Sequence, residues 1–61
     1  MEKLQELFDS LKANWTAFEA EHSAFVAKGN KAAAGRARKA IQALKKDVTD
    51  YKKASVEATK A

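Results

Sequence analysis

Lys28-Gly29-Asn30-Lys31 is the stretch that decides the fold of this chain. Gly accepts the left-handed backbone conformation that commonly follows a helix end. Asn is a favoured cap at a helix start, because its side-chain oxygen accepts an orphan backbone N–H. No other turn signal interrupts the sequence. Pro is absent, and the second glycine, Gly35, lies inside a helical pattern, where it costs up to about 1 kcal/mol relative to Ala. Two helices are therefore expected, over roughly 3–28 and 31–60. So short a connection forces them antiparallel. The expected fold class is all-α, a two-helix hairpin formed by a single domain over residues 1–61.

Working outward from the turn, both arms carry apolar residues at alternating spacings of four and three. On the N-terminal side these are Leu4, Phe8, Leu11, Trp15, Phe18, His22 and Phe25, with Leu7 and Val26 widening the face. On the C-terminal side they are Ala34, Ala37, Ile41, Leu44, Val48, Tyr51, Ser55 and Ala58. A sustained repeat of this period argues for coiled-coil-like packing. Folded about the turn, residue i faces roughly residue 59 minus i. Phe25 then meets Ala34, Phe18 meets Ile41, Trp15 meets Leu44 and Leu11 meets Val48. Large side chains oppose small ones near the turn, which fills a seam without overpacking.

Two helices form one layer, and a scaffold of 61 residues buries barely enough to offset its chain entropy. Phe8, Trp15, Phe18 and Phe25 are expected to stay half exposed in a lone hairpin. Homodimerisation into a four-helix bundle is the expected remedy, burying the wide face with Leu7 and Val26.

Composition narrows the function. There is no Cys and one His, so neither a disulfide framework nor a thiolate metal site is expected. No cofactor, metal or catalytic residue can be named, and an enzyme is not expected. No apolar run approaches the roughly 20 residues of a membrane span, and the charged N-terminus lacks a secretory h-region. His22 reads as packing or a hydrogen bond in the bundle, and Trp15 and Tyr51 as core.

The net charge of +4 is unevenly placed. Residues 1–28 carry three Lys against five acids, or −2, and residues 29–61 carry nine Lys/Arg against three acids, or +6. Positions 31–32, 38–39, 45–46, 52–53 and 59–60 recur every seven residues. Eight of those ten are basic (Lys31, Arg38, Lys39, Lys45, Lys46, Lys52, Lys53 and Lys60) and none is acidic. Seven residues rise about 10.5 Å, so the doublets form an evenly spaced basic rail. A solvating face would mix signs, because opposite charges four apart support a helix. Here the acids Asp47, Asp50 and Glu57 lie elsewhere, and the rail has the footprint of a polyanion site.

The rail is Lys-dominated and carries no interleaved aromatics. It lacks the stacking platforms of single-strand binders and the Arg, Asn and Gln vocabulary of base readout. What it offers is phosphate contact, which positions a protein on a duplex without reading sequence. The expected partners are double-stranded DNA, bound non-specifically, and a second copy of the chain. A membrane surface fits poorly, since the basic helix is Ala-rich near the turn and the aromatic helix is net negative. No small-molecule substrate is indicated. The alternative is a helical oligomerisation module whose basic edge meets an acidic protein or structured RNA.

The run Lys28-Gly29-Asn30-Lys31-Ala32-Ala33, followed by Arg36, Arg38 and Lys39, resembles the turn region of bacterial linker-histone-like nucleoid proteins of the chlamydial histone-like type. Asp50-Tyr51-Lys52-Lys53-Ala54-Ser55-Val56-Glu57-Ala58 is similar to that family's segment of the form Tyr-Arg-Lys-Glu-Ser. The resemblance covers most of residues 5–60. It implies a cytoplasmic, nucleoid-associated protein that binds and compacts DNA. It also implies that Lys31, Arg36, Arg38 and Lys39, near the hairpin tip, are the first DNA-contacting positions. The family's best-known members add a long Lys/Ala-rich tail. This chain is expected to be a short member without one, which moves weight onto the helical rail.

Overall fold

The computed structural model describes residues 1–60 and consists of two helices, α1 (Glu2–Lys28) and α2 (Lys31–Lys60), packed against each other as an antiparallel hairpin. The tip is built as the turn residues dictate. Gly29 has φ 63° and ψ 27°, the left-handed conformation, and its N–H donates to the Phe25 carbonyl at 2.8 Å. Asn30 then opens α2. Its Oδ1 accepts from the N–H groups of Ala32 at 3.0 Å and Ala33 at 3.3 Å, satisfying two donors that have no partner inside the helix. Both helix ends at the tip are thus capped within two residues, which leaves no slack for sliding one helix along the other.

The hairpin measures 49 × 14 × 11 Å between Cα extremes. It is two helices wide and one helix thick, so each helix buries a single stripe. On α1 the less exposed positions are Leu4, Leu7, Leu11, Asn14, Phe18, Glu21 and Ala24. On α2 they include Ala33, Ala37, Ala40, Leu44, Asp47, Asp50, Ala54 and Ala58. Ala33, tucked under α1 in the first turn of α2, is the one fully buried residue among those described. Alanines dominate the α2 side, which lets the backbones approach while Leu and Phe from α1 fill the space between them.

This seam differs from the sequence expectation by one row on each helix. Leu7, Asn14 and Glu21 take the places expected for Phe8, Trp15 and His22. Ala40 and Asp47 take those expected for Ile41 and Val48, while Ala33 and Ala54 join Ala34 and Ser55, which stay half-buried. Phe8, Trp15, Phe25, Val26, Ile41, Val48 and Tyr51 are consequently exposed in the hairpin, from 37% for Tyr51 to 68% for Val26. The physical reason is width. The apolar face of each helix is broader than one interhelical seam can cover. The closest approach selects the row with small residues and leaves the bulky row to one side.

A polar layer accompanies the shift. Asp47 accepts hydrogen bonds from Ser10 Oγ at 2.9 Å and from Asn14 Nδ2 at 2.6 Å, both across the hairpin. Ser10 and Asn14 straddle position 12, the expected counterpart of Asp47, so the pairing register inferred from the turn is kept. The Asp47 carboxylate is tolerated in the seam because both donors reach it.

Replacing Gly29 with Ala places a Cβ at positive φ and should lower stability by about 1 kcal/mol. Asn30→Ala should cost about as much through loss of the cap. Asp47→Ala should also cost about 1 kcal/mol, because Ser10 and Asn14 lose their shared acceptor. Urea titrations followed by circular dichroism at 222 nm read all three as lowered midpoints.

Candidate nucleic-acid interface

The basic residues of α2 begin one row beyond the seam. Seven-residue spacing places Arg38, Lys45 and Lys52 in one row and Lys39, Lys46, Lys53 and Lys60 in another. With the seam on Ala33, Ala37, Ala40 and Leu44, both rows fall on the far side of α2 from α1. All of these residues, and Lys31, are exposed. The two rows border opposite broad faces of the hairpin. Arg38 lines a shallow groove with Phe18, His22, Phe25, Ala34, Ala37 and Ile41, whereas Lys53 lies beside Lys3, Leu7, Asp50, Ala54 and Glu57. Between the rows runs the line Gly35, Gln42, Thr49 and Val56, which carries no charge. Gly35 is open on this side: a Cβ there would meet only the Arg38 guanidinium, at 3.9 Å.

Arg36 stands apart from the other eight. It lies in the row of Ala43, Asp50 and Glu57, and its Nε donates to Glu21 of α1. This is the one ion pair among the described residues. It joins the helices across the polar broad face, which also holds Ser10, Asn14 and Asp47. Arg36 is therefore part of the hairpin's own closure, while Lys31, Arg38, Lys39, Lys45, Lys46, Lys52, Lys53 and Lys60 make no ion pair among the described residues. The acids of α2 are drawn to the α1 side, Asp47 into the seam and Asp50 beside it, which leaves the outer edge with a single sign.

The other broad face is apolar. Phe8, Trp15 and His22 form one row of α1, and Ile41 and Val48 one row of α2. Phe8 and Tyr51 share a groove at the open end of the hairpin, and His22, Phe25 and Ile41 share one near the tip. The aromatic side chains support each other along α1. Trp15 and Phe18 lie 5.6 Å apart at 44°, and His22 stacks on Phe18 at 6.0 Å and 28°. The three-and-four spacing alone presents these residues as one core. In the structure Asn14, Glu21 and Asp47 belong to the seam, and Leu4, Leu7, Leu11, Asn14, Phe18, Glu21 follows the same three-and-four spacing. No described helix is long and apolar enough to cross a membrane.

The fold and surface together define a class: a two-helix hairpin with an exposed apolar side and a single-sign basic outer edge. A family model for the histone H1-like protein Hc1 matches residues 5–61, and the chain belongs to that family. No curated protein and no solved structure matches it.

Arg36→Ala should lower stability by less than about 0.5 kcal/mol, because the Arg36 side chain is 55% exposed and its pairing with Glu21 is solvent-screened. A urea titration in 0.5 M NaCl should show the variant and the parent closer together than in 20 mM NaCl.

Proposed function

We propose that this chain binds double-stranded DNA without sequence preference, through the basic outer edge of α2, and acts as a self-associating architectural protein of the nucleoid. Membership of the histone H1-like family supports the coarser part of this reading, a DNA-binding protein of the nucleoid. The observation that supports the finer reading is the outer edge itself. Eight exposed cations lie in two rows on the back of α2, and every acid of that helix lies on other rows. The doublets from Lys31 to Lys60 extend over about 44 Å of helix, a little more than one turn of B-form duplex. A straight rail of that length crosses the phosphate backbone repeatedly without entering a groove. It therefore meets phosphates and not base edges. Self-association follows from the aromatic face, whose side chains remain 40–50% exposed at Phe8, Trp15 and Phe25.

Fluorescence anisotropy with a labelled 25-base-pair duplex should show binding that weakens steeply with salt. If about five phosphates are neutralised, log K falls against log salt with a slope near −4.5. Substituting Lys45, Lys46, Lys52 and Lys53 with Gln should abolish the shift at physiological salt and leave the helical circular dichroism spectrum intact. A flat salt response, or full binding by the fourfold variant, contradicts the reading. Stronger competition by duplex RNA than by duplex DNA of the same sequence would redirect it to structured RNA.

A further inference from the structure

The hairpin carries its apolar side on a broad face and its cations on a narrow edge, roughly a right angle apart. That geometry decides what a pair of hairpins can do with DNA. We propose that two copies close face to face with α2 of each lying against α1 of the other, so that the two basic edges point to opposite sides of the dimer and hold two DNA duplexes at once. The bridge rests on the duplex-binding reading above and extends it from one duplex to two.

The occupant of the apolar face is a second copy on grounds of area and charge. The broad face spans 49 × 14 Å, or about 690 Å² per copy, and two such faces give about 1,400 Å², within the range of stable protein interfaces. The aromatics lie along its length, from Phe8 at the open end through Trp15 to His22 and Phe25 near the tip. A partner must therefore be as long as the hairpin itself and apolar along the same line.

A two-fold axis within the interface allows two arrangements. If the axis runs across the helices, the tips lie at opposite ends and like helices stack. The α2 helices, with nine cations against three acids (+6 each), then face each other. If the axis runs along the helices, the tips lie at the same end and each α2 faces the partner's α1, which has three cations against five acids (−2). The second arrangement replaces repulsion between like charges with attraction. At matched heights the α1 row at the rim is Gln5, Lys12, Glu19 and Val26, which brings Arg38 near the level of Glu19 and Lys52 near the level of Gln5. Lys45 falls near the level of Lys12, so the rim pairs balance and the preference rests on the opposite net charges of α1 and α2.

In this arrangement the two α2 helices sit at diagonal corners of a four-helix bundle. With neighbouring axes 8–10 Å apart, the diagonal is about 13 Å, and the basic edges face away from each other. The row Lys39, Lys46, Lys53 and Lys60 borders the polar broad face and stays clear of the interface in both copies. A single straight duplex lying on one edge cannot reach the other. Two duplexes can be held, one on each side. In the alternative arrangement both edges lie on one side and form one wide basic surface that takes a single duplex.

The test is capture of a second duplex. A biotinylated duplex is held on streptavidin beads and a fluorescent duplex without biotin is added with the wild-type chain at 50 mM salt. The proposal expects retention of the fluorescent duplex on the beads. A variant with Ile41→Glu and Val48→Glu should still bind one duplex by anisotropy and should capture the second at least tenfold less. Folding of that variant is read from its circular dichroism. A second measurement does not depend on it: nitroxide labels on Ala27→Cys in the wild-type background report the arrangement by pulsed electron resonance. Tips at the same end place the labels within about 35 Å, and tips at opposite ends beyond about 45 Å. A dimer that binds duplex DNA by anisotropy but captures no second duplex, or whose labels lie beyond about 45 Å, overturns the bridge and leaves duplex binding standing. Absence of any anisotropy change at 50 mM salt sinks duplex binding itself, and the bridge with it.

Discussion

A layer two helices wide can bury only one stripe of each helix, and the rest of this molecule follows from that limit. The apolar faces of α1 and α2 are each wider than a stripe. Something apolar must therefore stay outside the hairpin, and packing decides which row. Ala33, Ala37 and Ala40 bring α2 close to α1, and Leu4, Leu7, Leu11 and Phe18 fill the seam from the other side. Phe8, Trp15 and His22 are left on one flank with Ile41 and Val48 beside them. Had the bulkier row taken the seam, the helices would stand further apart and Asp47 would lose Ser10 and Asn14. The choice of row thus couples close packing, satisfaction of the polar layer and the exposure of an aromatic face.

The turn holds that choice in place. With Gly29 closing α1 and Asn30 opening α2, the register of the two helices is set at the tip, and Asp47 checks it about two-thirds of the way down the hairpin. A shift of one turn would carry Asp47 away from at least one of its donors. Arg36 and Glu21 add a closer contact near the tip, weakly stabilising because it is open to water. Polar contacts of this kind specify one register more than they add stability, a role that apolar side chains alone fill poorly.

The sequence made the hairpin legible, because its one decisive feature is local. Gly followed by Asn, in a chain without Pro, leaves few alternatives, and the helix boundaries follow to within one residue. The basic rows were legible for the same reason: charge every seven residues needs no tertiary knowledge to be seen. The exact seam was less so. Leu4, Leu11, Phe18 and Leu44 belong to both the expected and the observed seam. The neighbouring row could be assigned only by knowing that Asn14, Glu21 and Asp47 find partners across the hairpin. A polar residue at a heptad position reads as an interruption until its partner is in view, and Asp47 has two.

The position of the acids ties fold to function. Asp50 and Glu57 stand four residues after Lys46 and Lys53, the spacing that supports an exposed helix, yet neither closes an ion pair among the described residues, and Asp47 has no cation three or four residues away. The three acids lie on the rows nearer α1, which concentrates positive charge on the outer side of α2. Self-repulsion along the rail is the cost, and it falls when a polyanion neutralises the edge. The eight-fold single-sign edge is therefore least favourable in the free molecule and most favourable against phosphates, which favours a histone-like role over that of a merely solvated helix. The same imbalance acts between copies. Because α1 retains the net negative charge, each hairpin carries an attractive surface for the basic helix of another beside its own aromatic face. In the proposed dimer, this charge segregation within one chain orients the second chain and keeps the two basic edges apart.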